Sequence, residues 1–339
     1  MTDTDLSLSE SAKHAQRSAP PVPSSVSEQA RRMLSVPMGA SPAQYPEIGD
    51  TAGWLGFTSA IESQLRPHYE SLLPPAESYT VTSEVINGVA NFVLHPAHVG
   101  DTDEAPIFIE IHGGALYLGS GDLTWMAAAA AAVGRDGITW APDYRMPPLH
   151  PFPAALDDLL VVYRAALDAV GPQRIVVSGG SAGGNLAAAL LVRAKNEGLP
   201  MPAALVLLTP EADLTESGDT FATNDGIDNV LSSLMPVNLL YAAGEDLAHP
   251  YISPLFADLT GFPPTLLQSG TRDLFLSTTV RLHRKLLHAG VTAELHVFEA
   301  MPHGGFMGTA PEDDELRAEV RRFEAVQLAH AANGAVATP

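Results

Sequence analysis

The run Gly179-Gly180-Ser181-Ala182-Gly183-Gly184 follows an apolar stretch, Arg174–Ser178, and leads into the alanine- and leucine-rich stretch Ala182–Glu197. This is G-x-S-x-G between a strand and a helix. The glycines permit a sharp turn, and Ser181 is presented at the mouth of a sheet beside a helix N-terminus. That placement suits nucleophilic attack on an acyl carbon. Taken alone, the run also fits a glycine-rich turn that packs a helix on a strand. A phosphate loop would need Lys where this chain has Asn185, and a dinucleotide fingerprint would need Gly in place of Ser181.

A nucleophilic serine needs a base, and the base needs an orienting acid. His303, in EAMPHGGF, stands just beyond the last strand signal, and Asp273, in QSGTRDLF, just beyond the one before it. Both positions are strand C-terminal ends, where a parallel sheet presents its site. The order Ser181, Asp273, His303 is the one expected with such a nucleophile turn. His283 and His288 fall on a charged helix, His296 falls inside a strand, and Glu299 is a rival acid only four residues before His303.

His112-Gly113-Gly114-Ala115 ends another strand, about 70 residues before the serine. Backbone N–H groups of such a loop form half of an oxyanion hole, and the N–H after the nucleophile, here that of Ala182, supplies the rest. Each donor is worth roughly 3–4 kcal/mol to a transition state. His112 is expected to shape the loop through a backbone hydrogen bond. The alternative is an ordinary strand-to-helix turn.

The elements that must position these groups alternate. VTSEVI, Asn87-Gly88 and VANFVL form a hairpin pattern, since Asn-Gly suits a type I′ turn. Buried strands are expected at Ile107–Ile111, Ile138–Ala141, Arg174–Ser178, Ala204–Leu208 and Thr265–Ser269, and a last strand at Ala293–Phe298. Helices are expected at Trp125–Val133, Phe152–Val170, Ala182–Glu197, Ser277–Ala289 and Arg317–Ala332. This alternation implies an α/β fold with a mostly parallel, eight-stranded sheet covered on both faces. About 55 residues separate Leu208 from Thr265, with one convincing helix near Asn229–Ala242, which reads as an insertion over the strand ends. Ahead of the sheet, Ser27–Leu34 and Thr51–Leu73 read as helices, the second with Trp54, Phe57, Ile61 and Leu65 at helical spacing.

Composition narrows the function. The 339 residues carry a net charge of −21 and only three lysines, which argues against nucleic acid. With no cysteine, disulfides, thiolate catalysis and Cys-type metal sites are excluded. No histidine pair has H-E-x-x-H spacing, so no metal site is expected. The N-terminus lacks the apolar core of a secretory signal, and no apolar run is long enough to cross a membrane, so a cytoplasmic location is expected.

The chain resembles the hormone-sensitive-lipase-like carboxylesterases, the bacterial family IV esterases. The resemblance covers roughly residues 50–330 and rests on HGGALY, DYRMPPLHPFPAALDD, GGSAGGNLAAAL, DLTESGDT, GTRDLFLS and MPHGGF. It implies an α/β-hydrolase core, a cap of N-terminal helices plus an insertion after the sixth strand, and hydrolysis of short acyl esters without a cofactor. A dimer through the sheet edge would be typical. The expected division is a flexible tail at 1–27, cap helices at 28–75, catalytic core at 76–210 and 251–332, cap insertion at 211–250, and a tail at 333–339. The implied partner is a small-molecule ester, with Ser181, Asp273 and His303 catalytic and Gly113, Gly114 and Ala182 in the oxyanion hole. Lactone or amide hydrolysis by the same triad is the nearest alternative. A receptor on the same scaffold would lack the catalytic histidine, which this chain has. Three positions depart from the family pattern: Ala115 and Gly180 stand for Gly and Asp, and the usual acid of the Y-R-L-A-P-E stretch is absent from Tyr144–Leu149.

Overall fold

The computed structural model describes residues 20–36, 44–100, 102 and 104–336. The expected tails lie outside the described residues up to position 19 and from 337 onward. The chain forms one eight-stranded sheet in the order β1-β2-β4-β3-β5-β6-β7-β8. Its strands are β1 (Tyr79–Ile86), β2 (Val89–Pro96), β3 (Ile107–Ile111), β4 (Ile138–Pro142), β5 (Ile175–Gly180), β6 (Ala204–Leu208), β7 (Thr265–Gly270) and β8 (Ala293–Phe298). The first two form the expected antiparallel hairpin, with positive φ at both Asn87 (47°) and Gly88 (95°). β2 pairs antiparallel with β4, and every pairing from β4 across to β8 is parallel. The expected fold class is what the structure has.

Side-chain alternation sends the two faces of each strand to different helices. Ile107, Ile109, Ile111, Ile175, Val177, Leu205 and Leu207 pack under α4 (Ala154–Val170), α5 (Ala182–Asn196) and α8 (Leu276–His288). Phe108, Val176, Ala204, Val206 and Leu266 turn the other way, toward Val320 and Phe323 of α9 (Pro311–Val336). The alanines of α3 (Asp122–Ala132) cover the outer part of the sheet against Leu94 and Ala141. Buried Arg135 then ties α9 to the sheet, 2.7 Å from Glu324 and 2.8 Å from Glu110.

α2 (Thr51–Ser71) lays its apolar stripe on the chain that follows β3. Trp54, fully buried, contacts Tyr117 edge-on and shares a cluster with Leu118, Val237 and Leu240; Phe57, Ile61 and Leu65 pack against it. The insertion carries the short α6 (Thr220–Thr223) and then α7 (Met235–Ala242); Val237 and Leu240 lie on α7, so α2 and the insertion meet over one end of the sheet.

The largest departures from expectation are at α7, at α9 and in the chain before residue 28. α7 starts at Met235 rather than Asn229, because Pro236 belongs in a first turn and Asp228 and Glu216 hold the amides of Val230, Leu231 and Leu234 outside a helix. α9 starts six residues early, at Pro311, where Asp313 accepts from the amides of Phe306 and Ala310. α1 (Glu28–Ser35) packs with Met301, Phe306 and Ala310 beside the loop carrying His303, and at its C-terminal end the carbonyls of Met33 and Val36 accept from Asn229 of the insertion (3.3 and 3.4 Å). The chain also docks before residue 28: Val26 is buried, and Arg272 donates to the Pro21 carbonyl (2.9 Å). Among the described residues, no helix is long and apolar enough to cross a membrane.

Trp54→Ala removes the largest side chain of the α2 contact and leaves a cavity. It should cost about 3–5 kcal/mol of stability, read as a fall in the urea midpoint with an unchanged slope.

Candidate active site

Ser181 stands between β5 and α5 with φ 55° and ψ −122°, a conformation ordinary L-residues avoid. Its amide donates to Leu208 O (2.8 Å), and its carbonyl accepts from the amides of Asn185 (3.1 Å) and Glu211 (3.2 Å). A Cβ on Gly183 would collide with the carbonyl of Ile111, so glycine is required for α5 to start against the end of β3. The side chain is thereby held clear of the turn.

The two other expected residues converge on it. His303 Nε2 lies 2.8 Å from Ser181 Oγ, and its Nδ1 lies 3.1 Å from Asp273 Oδ1. Asp273 is wholly buried. Its Oδ2 accepts from Ser269 Oγ (2.6 Å) and its Oδ1 from the Phe275 amide (2.9 Å). A buried carboxylate with these donors accepts the Nδ1 proton, which leaves the Nε2 lone pair free to accept from the serine hydroxyl. The Phe275 ring stands edge-on to the imidazole, centroids 4.8 Å apart. The rival Glu299 is exposed. His296 is paired with Glu319 and Glu294, and His283 lies 3.3 Å from the Ala293 carbonyl.

The loop after β3 is held by its own histidine. His112 Nδ1 donates to the Gly113 carbonyl (2.7 Å). Its ring stacks on Tyr144 at 4.2 Å, and the Tyr144 hydroxyl donates to the His112 carbonyl (2.7 Å). Burial pushes His112 below the usual histidine range and keeps it neutral. Gly114 takes φ 122° and Ala115 φ 48°. Among the described residues the amides of Gly113, Gly114 and Ala115 make no hydrogen bond, and Gly113 lies directly against Gly180 and Ser181. Gly180 has room for a Cβ, and nothing in the structure explains glycine there.

Several residues around this constellation escape the sequence motifs. Glu62 of α2 accepts from the Gly119 amide (2.9 Å), bracing the end of the His112 loop. Thr220, Asn224 and Asp228 of the insertion all bond the Asp273 loop. Their spacing of four is a signal, but one that many polar surface turns share. Among the described residues no group of three His, Asp or Glu is arranged to hold a metal ion.

Residues 108–307 match the family described as having the alpha/beta hydrolase fold. An esterase of Acinetobacter venetianus is 33% identical over 223 residues, which span 64% of this chain and 74% of that protein. A crystal structure of an esterase superposes with a TM-score of 0.81 at 35% identity, covering 91% of this chain and 96% of the other. A crystal structure of an esterase from the bacterial hormone-sensitive lipase family gives a TM-score of 0.73 at 31% identity, covering 85% and 100%.

Behind the serine turn lies an unusual carboxyl group. Glu211 is 1% exposed, and neither of its oxygens makes a well-formed hydrogen bond among the described residues. Burial, with the nearby charge of Glu216, pushes its pKa from 4.5 up to about 8. At neutral pH it is therefore a neutral acid, the neighbouring Asn238 side chain opposing the shift only in part. The folded state alone holds this proton between about pH 4.5 and about 8. Stability from this group is complete below that window and is lost as pH rises through it, by at most about 1.4 kcal/mol per unit. Glu211→Gln carries a permanent N–H donor instead. The melting temperature of the variant relative to wild type should rise from pH 5 to 8 and level off above, in thermal melts across that range.

Proposed function

The chain belongs to the α/β-hydrolase family, among the bacterial hormone-sensitive-lipase-like carboxylesterases, and from that premise we propose that it cleaves short-chain acyl esters through an acyl-enzyme on Ser181. The chain is a carboxylic ester hydrolase by this kinship. The observation that carries the finer reading is the unbroken relay from Ser181 Oγ to His303 (2.8 Å) to Asp273 (3.1 Å).

In the proposed cycle, Ser181 Oγ attacks the ester carbonyl carbon while His303 Nε2 takes the hydroxyl proton. Asp273 holds the imidazole tautomer and stabilises the positive charge that forms. The carbonyl oxygen becomes an oxyanion, bound by the amides of Gly113, Gly114 and Ala182. Collapse of the tetrahedral species breaks the ester C–O bond, and His303 returns the proton to the departing alcohol. Water then adds to the acyl-serine, losing its proton to His303, and the carboxylic acid leaves as Ser181 is reprotonated.

The preference for short acyl groups rests on the roof. In this reading α2 and the insertion at 211–250 form a cap. Phe57 and Ile61 from α2, with Phe221, Leu231 and Leu234 from the insertion, supply its apolar wall. Trp54 is fully enclosed and serves to fix α2 rather than to face substrate. An enclosed apolar pocket limits acyl length in a way an open face does not.

Two measurements test this. Ser181→Ala should lower turnover of an aryl acetate by about 10³-fold or more, with the melting curve close to wild type; turnover near the wild-type rate overturns the nucleophile. Across a series of aryl esters, turnover should peak at acyl chains of about two to six carbons, with little hydrolysis of emulsified triglyceride. A peak at long chains overturns the enclosed pocket.

A further inference from the structure

The insertion after β6 grips the acid and base loops directly. Thr220 Oγ1 donates to the Leu274 carbonyl (2.7 Å) and accepts from the Ser277 amide (2.9 Å). Asn224 Nδ2 donates to the carbonyl of Asp273 itself (2.9 Å). Asp228, only 6% exposed, reaches furthest. Its Oδ2 accepts from the amide of Leu274 (2.8 Å), next to Asp273, and from the amide of His303 (3.3 Å). Its Oδ1 accepts from the amides of Val230 (2.9 Å) and Leu231 (3.3 Å). One side chain thus joins three segments far apart in sequence.

We propose that Asp228 is a positioning residue for the ester hydrolysis described above: it fixes the Asp273 and His303 loops in one register, and its charge favours the protonated state that His303 must reach. The inference rests on that reading of the site.

The chemistry of the group supports the role. Only an ionised carboxylate offers two acceptor oxygens and no donor, which is what four converging N–H groups require. An asparagine would turn an NH₂ toward amides. The register matters because the relay tolerates little error, and a displacement of about 1 Å can cost about 10²-fold in rate. Burial, reinforced by Asp273, pushes Asp228 above the ordinary carboxylate range, while the charge of His303 and the Val230 and Leu274 amides act against this. The groups at the imidazole are Asp273 from the β7–α8 loop, Ser181 from the β5–α5 turn and the uncharged Phe275 ring, with the Asp228 carboxylate of the insertion at the His303 backbone amide. Asp228 is therefore a second negative charge close to the imidazolium that forms when His303 takes the serine proton.

The test uses the full chain with Asp228→Asn and Asp228→Ala. Competent serines are first counted with an aryl phosphonate, and the label is located by mass spectrometry. A wild type that is not labelled at Ser181 overturns the acyl-enzyme reading itself. With labelling established, Asp228→Asn should lower kcat per labelled site about 10-fold and Asp228→Ala about 10²-fold, with KM within about 2-fold. The acid limb of the kcat/KM profile should also move to lower pH in both, since loss of a nearby negative charge makes the base harder to protonate. If Asp228→Ala fails to fold, Asp228→Asn, of the same size, carries the test alone. A kcat per labelled site within about 2-fold of wild type overturns the proposal, even if the melting temperature falls. So does an acid limb that does not move.

Discussion

The backbone of Ser181 is the constraint on which the site depends. A non-glycine residue at φ 55° and ψ −122° is held at a cost of order 1–3 kcal/mol and persists only where its surroundings over-determine it. Here the surroundings are the centre of the sheet. The Leu208 carbonyl at the end of β6 takes the serine amide, the Glu211 amide returns to the serine carbonyl, and β3 closes against Gly183. Ser181 is thus anchored by the most buried part of the molecule. Its two partners come from loops, which must be brought to it and kept there.

Loops rarely hold such tolerances, and these do so because their polar groups are spent on one another. The Arg272 amide donates to Met301 O (3.2 Å), the Thr271 amide to Phe298 O (3.0 Å) and the Ala300 amide to Thr271 Oγ1 (2.8 Å). The Asp273 loop and the His303 loop are therefore stitched before the insertion adds its side chains. A Cβ on Gly270 would collide with the Met301 carbonyl, so this close approach needs glycine. α1 packs Ala30 on Met301 and Phe306, while Ser27 bonds Glu312 at the start of α9 (2.7 Å). A single hydrogen bond contributes about 1 kcal/mol net. The fixity comes from their number around two short segments, where displacing any one group breaks several bonds together.

This explains which parts were legible in the sequence. Ser181, Asp273 and His303 follow strand ends whose apolar runs are short and bounded, and a local turn motif names the serine outright. The sheet was legible for the same reason, since alternation and strand length are local properties. Asp228 was not, because ATNDGIDNV reads as a solvated polar turn and its burial depends on loops 46 and 75 positions away. Glu211 hid similarly, one residue after a proline, in a stretch where an acid is usually wet. The partners of α1 were not legible, because an amphipathic helix announces that it packs, not against what. The onset of α9 carried a local signal, Pro311 followed by Glu312, Asp313 and Asp314, which suits a helix first turn.

Ala115 shows how the roof and the site depend on each other. It sits at φ 48°, followed by Leu116 at φ 64°, where a glycine would be unstrained and an L-residue pays roughly 1–2 kcal/mol. Its side chain packs against two clusters at once: that of Trp54, Tyr117 and Val237, and that of Leu234, Leu274 and Phe275. The first includes α2 and α7, and the second reaches the Asp273 loop. The methyl group thus pins a strained loop between the elements above it and the acid beside it, while Glu62 holds the loop's far end through the Gly119 amide. A glycine there would relax the backbone but lose the pin and widen the set of conformations open to the Gly113 and Gly114 amides. Donors aimed at a developing charge act best when they need no reorganisation. On the proposed reading, α2 and the insertion therefore keep the oxyanion donors aimed as well as enclosing the acyl group.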